Sequence, residues 1–114
     1  MIAVIFEVQP HDEHRQDYLD AAARLRPILE SIEGFVSVER FESLATPGKV
    51  LSFSVFEDEA ALKRWRNVAE HRESQALGRG GYFADYRIRV ANVIRDYGMN
   101  DREQAPADSR EQHG

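Results

Sequence analysis

Apolar residues in this chain repeat with two periods, and the switches between them mark the elements. Ile2 to Val8 is a short apolar run closed by Pro10, rich in β-branched residues and too short for a helix. In a strand, Ile2, Val4, Phe6 and Val8 share one face and Ala3, Ile5 and Glu7 the other. Both faces are largely apolar, which predicts a central strand covered on both sides. Asp12 then stands where a helix cap is expected. Tyr18, Ala22, Leu25, Leu29 and Ile32 follow at alternating steps of four and three, the stripe of an amphipathic helix. Pro27 falls inside that stripe and predicts a kink or a split, and Gly34 predicts the stop.

Phe35 to Leu44 returns to alternation, with Val36 and Val38 set against Ser37 and Glu39. Thr46-Pro47-Gly48-Lys49 has the chemistry of a turn, and Val50 to Phe56 is the returning strand of a hairpin. Asp58 predicts the cap of a second helix, whose stripe is Ala61, Leu62, Trp65, Val68 and Ala69. Glu70 to Leu77 keeps helical propensity on a different face, and Gly78, Gly80 and Gly81 end it. Tyr86 to Tyr97 reads as a long last strand, with Tyr86, Ile88, Val90, Asn92 and Ile94 on one side. The order strand, helix, strand, strand, helix, strand is the split βαβ pattern of an α+β, ferredoxin-like fold with a four-stranded antiparallel sheet. Met99 to Gly114 has no apolar periodicity and is expected to be a disordered tail (99-114), leaving one domain over residues 1-98.

Composition narrows the function classes. The chain has 114 residues, 42% hydrophobic and 31% charged, with a formal net charge of -5. It has no cysteine, which excludes disulfides, thiolate metal sites and cysteine nucleophiles. The acidic balance argues against a nucleic-acid partner, and no apolar run reaches membrane-spanning length. The N-terminus lacks the basic stretch and cleavage site of a signal peptide, so a cytoplasmic location is expected. A single domain of this size gains much from a partner subunit.

The pieces IAVIFEVQP, IEGFVSVERFES, FEDEAALKRWRNVAEH and GYFADYRIRVANVIRDYG, in that order, resemble the antibiotic biosynthesis monooxygenase family over residues 1 to 98. That resemblance implies a homodimeric α/β barrel, in which two ferredoxin-like subunits pair through their sheets. It also implies a cavity between sheet and helices that takes a small aromatic or apolar ligand. Several relatives oxidise phenolic or quinol-like compounds with oxygen and no cofactor of any kind, metal, flavin or haem. Others degrade haem, joining an asparagine on the first strand to a tryptophan and an axial histidine; IAVIFEVQ has no asparagine.

Trp65, the only tryptophan, is either core or a cavity wall whose indole N–H donates to a substrate oxygen. His71 is the best candidate for acid–base work, because its ordinary pKa lies near neutrality. Six residues of ideal helix separate the two by about 120°, so their joint action requires a helix break between Val68 and Glu70, and such a break is expected. Asn67 and Arg66 flank Trp65 and have groups that orient a phenol or stabilise a phenolate, or else form a solvated face. Arg40, Ser52, Phe53, Ser54, Tyr86 and Asn92 sit on strands and line the cavity if they point toward the helices. His11 and His14 read as a solvated turn, with no metal site implied. The glycines at 78, 80 and 81 lack the spacing and lysine of a phosphate loop. The expected activity is a cofactor-independent monooxygenase with His71 and Trp65 as catalytic residues and Tyr86, Asn67, Arg40 and Phe53 binding substrate. The alternatives are a haem-degrading relative and a non-catalytic dimer that binds a small molecule.

Overall fold

A computed structural model describes residues 1–76 and 81–113, with backbone alone for 70–76 and 111–113. The chain folds as β1 (Ile2–Pro10), α1 (Arg15–Glu30), β2 (Phe35–Glu42), β3 (Val50–Phe56), α2 (Glu59–Ala76), β4 (Phe83–Asn92) and a short α3 (Ala107–His113). The strands form one antiparallel sheet in the order β2-β3-β1-β4. This is the expected ferredoxin-like α+β fold, with β1 central as its two-sided apolarity requires.

Register determines which side chains meet. Val4 lies opposite Ser54 and Val90, and Phe6 opposite Ser52 and Ile88. Val38 and Arg40 continue these two rows onto β2, where they face Ser54 and Ser52. The helix-facing side therefore carries one row of Arg40, Ser52, Phe6 and Ile88, and a second of Val38, Ser54, Val4 and Val90. The reverse side carries Ile5, Leu51, Phe53 and Phe41 around a charged centre. There Glu7 lies 3.2 Å from Arg89 and 3.5 Å from Lys49. Desolvation pulls the Glu7 carboxyl upward, but the Lys49 charge and the bonds to Arg89 and Lys49 outweigh it and hold its pKa below the ordinary value.

Two small cores close the ends of the helix-facing side. One joins Val8 and Val50 to Tyr18 and Ala21 of α1. The other joins Phe56 to Leu29 of α1 and Ala61 of α2. Asp58 caps α2 as expected, its carboxylate accepting the Ala61 N–H at 2.8 Å.

The structure corrects several expectations. Asp12 does not cap α1; it opens a 3-10 turn over Asp12–His14, and α1 begins after it. Pro27 does not split α1, which runs unbroken to Glu30. The proline sits in the last turn, and the carbonyl it leaves without a donor, that of Ala23, is on the exposed side. The break expected near Val68 is absent, because α2 is continuous from Glu59 to Ala76. Strand β4 starts at Phe83 and ends at Asn92, not Tyr97. Its partner β1 begins at Ile2, and after the Val93 N–H bonds to the Met1 carbonyl no ladder partner remains.

The C-terminal segment also departs from the disordered tail read from the sequence. Arg102 organises it: its guanidinium lies 5.3 Å from the centre of the Tyr97 ring, one Nη donates to Ser109 Oγ at 2.6 Å, and its carbonyl accepts from Arg110 Nε. Ala105 is buried beside this hub. Such order comes from single polar contacts, which hydropathic periodicity does not register.

The corner between α1 and β2 places α2. Gly34 has φ of +89°, its carbonyl accepts from the Glu57 N–H at 2.7 Å, and Arg64 reaches back to the Glu33 carbonyl at 2.9 Å. A Cβ on Gly34 would lie 2.6 Å from Ala61 Cβ, an atom that moves only with the helix itself. A Cβ on Gly48 would meet the mobile end of Gln9 at 2.9 Å. Both glycines have positive φ, so both alanine variants carry backbone strain of about 1–3 kcal/mol. Gly34→Ala is expected to cost clearly more than Gly48→Ala in urea unfolding, because only there does a helix have to shift.

Candidate active site

Between the two cores lies a cavity of about 790 Å³. Its floor is the pair of side-chain rows, and its roof is α1 through Tyr18, Ala22, Leu25, Arg26 and Leu29 and α2 through Leu62, Trp65, Arg66 and Ala69. The space follows from residue size: Ala22, Ala69, Ser52 and Ser54 are small side chains at positions where sheet and helices would otherwise interlock. The opening runs along β4, where Tyr86, Ile88 and Val90 are 59%, 53% and 51% exposed.

One end of the cavity is aromatic. Phe6, Phe83 and Tyr86 meet edge to face at centroid distances of 6.0 to 6.2 Å, and Tyr18 adds a fourth ring 5.6 Å from Phe83. Trp65 packs its half-buried indole against the core of Leu29, Phe56 and Ala61 and presents to the cavity from α2. Trp65 is thus packed on the core and lines the cavity at once.

The polar groups gather on the other side. Ser52 and Ser54 are buried on β3, and Arg40 crosses from β2 beside them. Arg40 Nε is buried and has no hydrogen-bond partner among the described residues. Arg26 is held by Glu30 at 2.8 Å, and Arg66 stands at the rim. Among the described lining residues there is no carboxylate and no histidine.

Thus the structure brings Trp65, Arg40, Tyr86, Arg66, Ser52 and Ser54 together around one space. Asn67 is exposed and does not line it. Two residues on from Trp65, it is rotated about 200° away around the helix. Phe53 does not line it either, because its register with Ile5 and Glu39 puts it on the reverse face of the sheet. Asn92 lies opposite Ile2, beyond the rows that form the floor. The side chain of His71 lies outside the described residues; the unbroken α2 turns its position about 120° from Trp65. The described residues contain no cluster of three metal-binding side chains, and His14 is engaged with Asp17 at 3.0 Å. Sequence reasoning missed Ala22, Ala69 and Arg26. The signal for the alanines was present as small residues inside the two apolar stripes.

A family model described as antibiotic biosynthesis monooxygenase matches residues 1–77. The chain belongs to this family. A jasmonate monooxygenase of the fungus Pyricularia oryzae is 42% identical over 113 residues, which cover 98% of this chain and 53% of that protein. The chain thus spans about half the length of that relative. An uncharacterised Bacillus subtilis protein, YqjZ, is 29% identical over 82% of this chain and 79% of its own length. Among solved structures, Rv0793 of Mycobacterium tuberculosis superposes with a TM-score of 0.73 at 17% identity, covering 85% of this chain and 98% of that one. SnoaB of Streptomyces nogalater, described as a cofactor-independent oxygenase, gives 0.68 at 10% identity over 83% and 94% of the two chains. At such identities these two establish the shared fold.

The site's emptiness is open to a direct check. Ala69 lies one turn after Trp65 and is 8% exposed. Overpacking a filled core costs about 1–3 kcal/mol. Here Ala69→Phe is expected to cost less than about 1 kcal/mol, because the ring enters existing space. The emission of Trp65, the only tryptophan, should shift to the blue as water leaves its wall, which a fluorescence spectrum reads directly.

Proposed function

We propose that this chain is an oxygen-dependent monooxygenase that needs no bound cofactor, acts on a small aromatic or otherwise apolar substrate, and works as a homodimer. The observation that carries the reading is the cavity: a half-enclosed apolar chamber with an indole, two tyrosines, two buried serines and the guanidinium of Arg40, whose buried Nε is unbonded among the described residues, converging on it, in a chain of this family. The relative that acts on jasmonate and the fold relative described as cofactor-independent support the same class.

The chemistry asks little of such a site. An activated CH2 that loses a proton gives an anion able to reduce oxygen itself, and the balance CH2 + O2 → C=O + H2O closes without an external reductant. Hydroxylation of an ordinary C–H does not close in this way; it needs two further electrons and two protons. The protein's part is to hold the substrate dry, present oxygen to one carbon and stabilise the anion. In this proposal the indole N–H of Trp65 and the hydroxyl of Tyr86 serve as the donors. Haem is a poorer occupant: the floor positions of β1 are Val4 and Phe6, and no described histidine lines the chamber.

The homodimer rests on the reverse face of the sheet. Phe41 is 46% exposed there, and Ile5, Leu51 and Phe53 are half-buried, an apolar surface around the Glu7, Arg89 and Lys49 charges. Phe53→Glu is expected to turn a dimer into a folded monomer in light scattering; a wild-type monomer at micromolar concentration would remove this part of the reading.

Turnover is tested with an oxygen electrode and labelled oxygen, using an anthrone, a quinol and jasmonate. The expected result is uptake with at least one compound, with one labelled atom in the product. Trp65→Ala should lower kcat/KM at least about tenfold, in line with the loss of one well-placed donor. Uptake only with added reductant would exclude the self-reducing route. No uptake under either condition would leave a binding protein.

A further inference from the structure

The cavity floor is divided across the sheet. On β2 and β3 it presents Arg40, Ser52 and Ser54, and on β1 and β4 it presents Val4, Phe6, Ile88 and Val90. The polar half is also cationic. Arg40 Nε is out of water and without an acceptor among the described residues, and no described acidic residue lines the space to supply one. Leaving a buried donor of a charged group unmade costs more than its removal would, so a native chain rarely keeps one without use. The nearest candidates fail to answer it: Arg26 is itself a cation and is already paired with Glu30, and the serine hydroxyls lie on neighbouring β3, where they reinforce an acceptor arriving from the cavity.

We propose that the ligand of this cavity is an amphiphile with one permanent anionic group, a carboxylate, bound by Arg40 with Ser52 and Ser54 beside it. Its apolar body lies over Phe6, Val4, Ile88 and Val90 toward the opening along β4. This deepens the monooxygenase reading and rests on the same cavity. It adds a polarity to the substrate: the anionic end is seated at β2, and the carbon presented to Trp65 and Tyr86 belongs to the apolar end. Arg40 acts here in binding and orientation, with no step of the chemistry assigned to it. A guanidinium suits the task better than an ammonium, because its fork matches the two oxygens of a carboxylate.

Two fluorescent probes with the same aromatic skeleton test this in the full chain. 8-Anilinonaphthalene-1-sulfonate is anionic, and N-phenyl-1-naphthylamine is the neutral counterpart. Titration should show the anionic probe bound more tightly. Arg40→Gln should weaken the anionic probe about 10–100-fold, the range for a hydrogen bond to a charged group, and leave the neutral probe within about twofold. Arg40→Lys should recover part of the loss. The anionic probe should be displaced by 4-phenylbutanoate and not by 4-phenylbutanamide. Equal loss of both probes in Arg40→Gln, with unchanged circular dichroism, would overturn the proposal while leaving the cavity as a binding site. Displacement by the amide as well as the acid would also overturn it. Failure of both probes to bind wild-type protein would overturn it together with the cavity reading. Oxygen uptake is independent of these outcomes: probe selectivity without turnover would sink the monooxygenase reading alone.

Discussion

The architecture depends on the register of one strand. β1 pairs with β3 on one side and β4 on the other, so its alignment fixes which residues of three strands share a row. A slip of one residue would turn Val4 and Phe6 to the reverse face and bring Ile5 and Glu7 under the helices. That would bury a carboxylate now held by Arg89 and Lys49, and would expose the helix-facing apolar set. Burial of Ile2 and Val8 penalises the slip at both ends of the strand at once. Register is thus set by the same residues that close the cavity, and stability and site geometry are one constraint.

Within that frame the cavity results from where side-chain volume is withheld. The cores at either end use Phe56, Leu29, Tyr18 and Val50, while the middle of the layer has alanine on both helices and serine on β3. The helices cannot collapse onto the middle because their ends are pinned, α2 by the Gly34 corner and the Asp58 cap, α1 by Arg15 reaching Glu42 and the Gly48 carbonyl. A chamber of this size is far larger than a packing defect, and it survives because its supports lie outside it.

Most of the fold was legible in the sequence for a simple reason. The apolar run of Ile2 to Val8, the alternation over the hairpin and the three-four stripe of α1 are properties of whole segments, and a segment outvotes any single residue. The errors came where single residues carried the inference. Pro27 looks like a break, yet a proline in the last turn leaves only a solvent-facing carbonyl unbonded. Asp12 looks like a cap, but one turn of 3-10 helix intervenes. The site was legible in part. Trp65 stands on a readable stripe, and the alternation of β4 puts Tyr86 with Ile88 and Val90. Phe53 and Arg40 could not be sorted from each other by sequence, because which parity of β2 and β3 faces the helices is decided by the pairing to β1 and by the bulge between Phe35 and Ser37. Nor does sequence report that Arg40 Nε lacks an acceptor among the described residues; that is a property of its surroundings.

The placement of Arg40 bears on chemistry as well as on affinity. A charge on an edge strand could have been left in water at almost no cost, as Arg87 and Arg89 are at the opposite edge. Arg40 is instead turned under the helices, next to two hydroxyls and across the chamber from four apolar side chains. A neutral apolar ligand would use only half of that floor and would desolvate the guanidinium further without answering it. A ligand carrying its own anion reverses the sign of the same burial, because lower local polarity strengthens the ion pair that it forms. Orientation then comes from a single contact at one end of the molecule. With that end fixed on β2, the breadth of the sheet sets which carbon arrives beneath Trp65, so regiochemistry would be measured by distance from the anionic group and not by recognition of the reacting carbon itself.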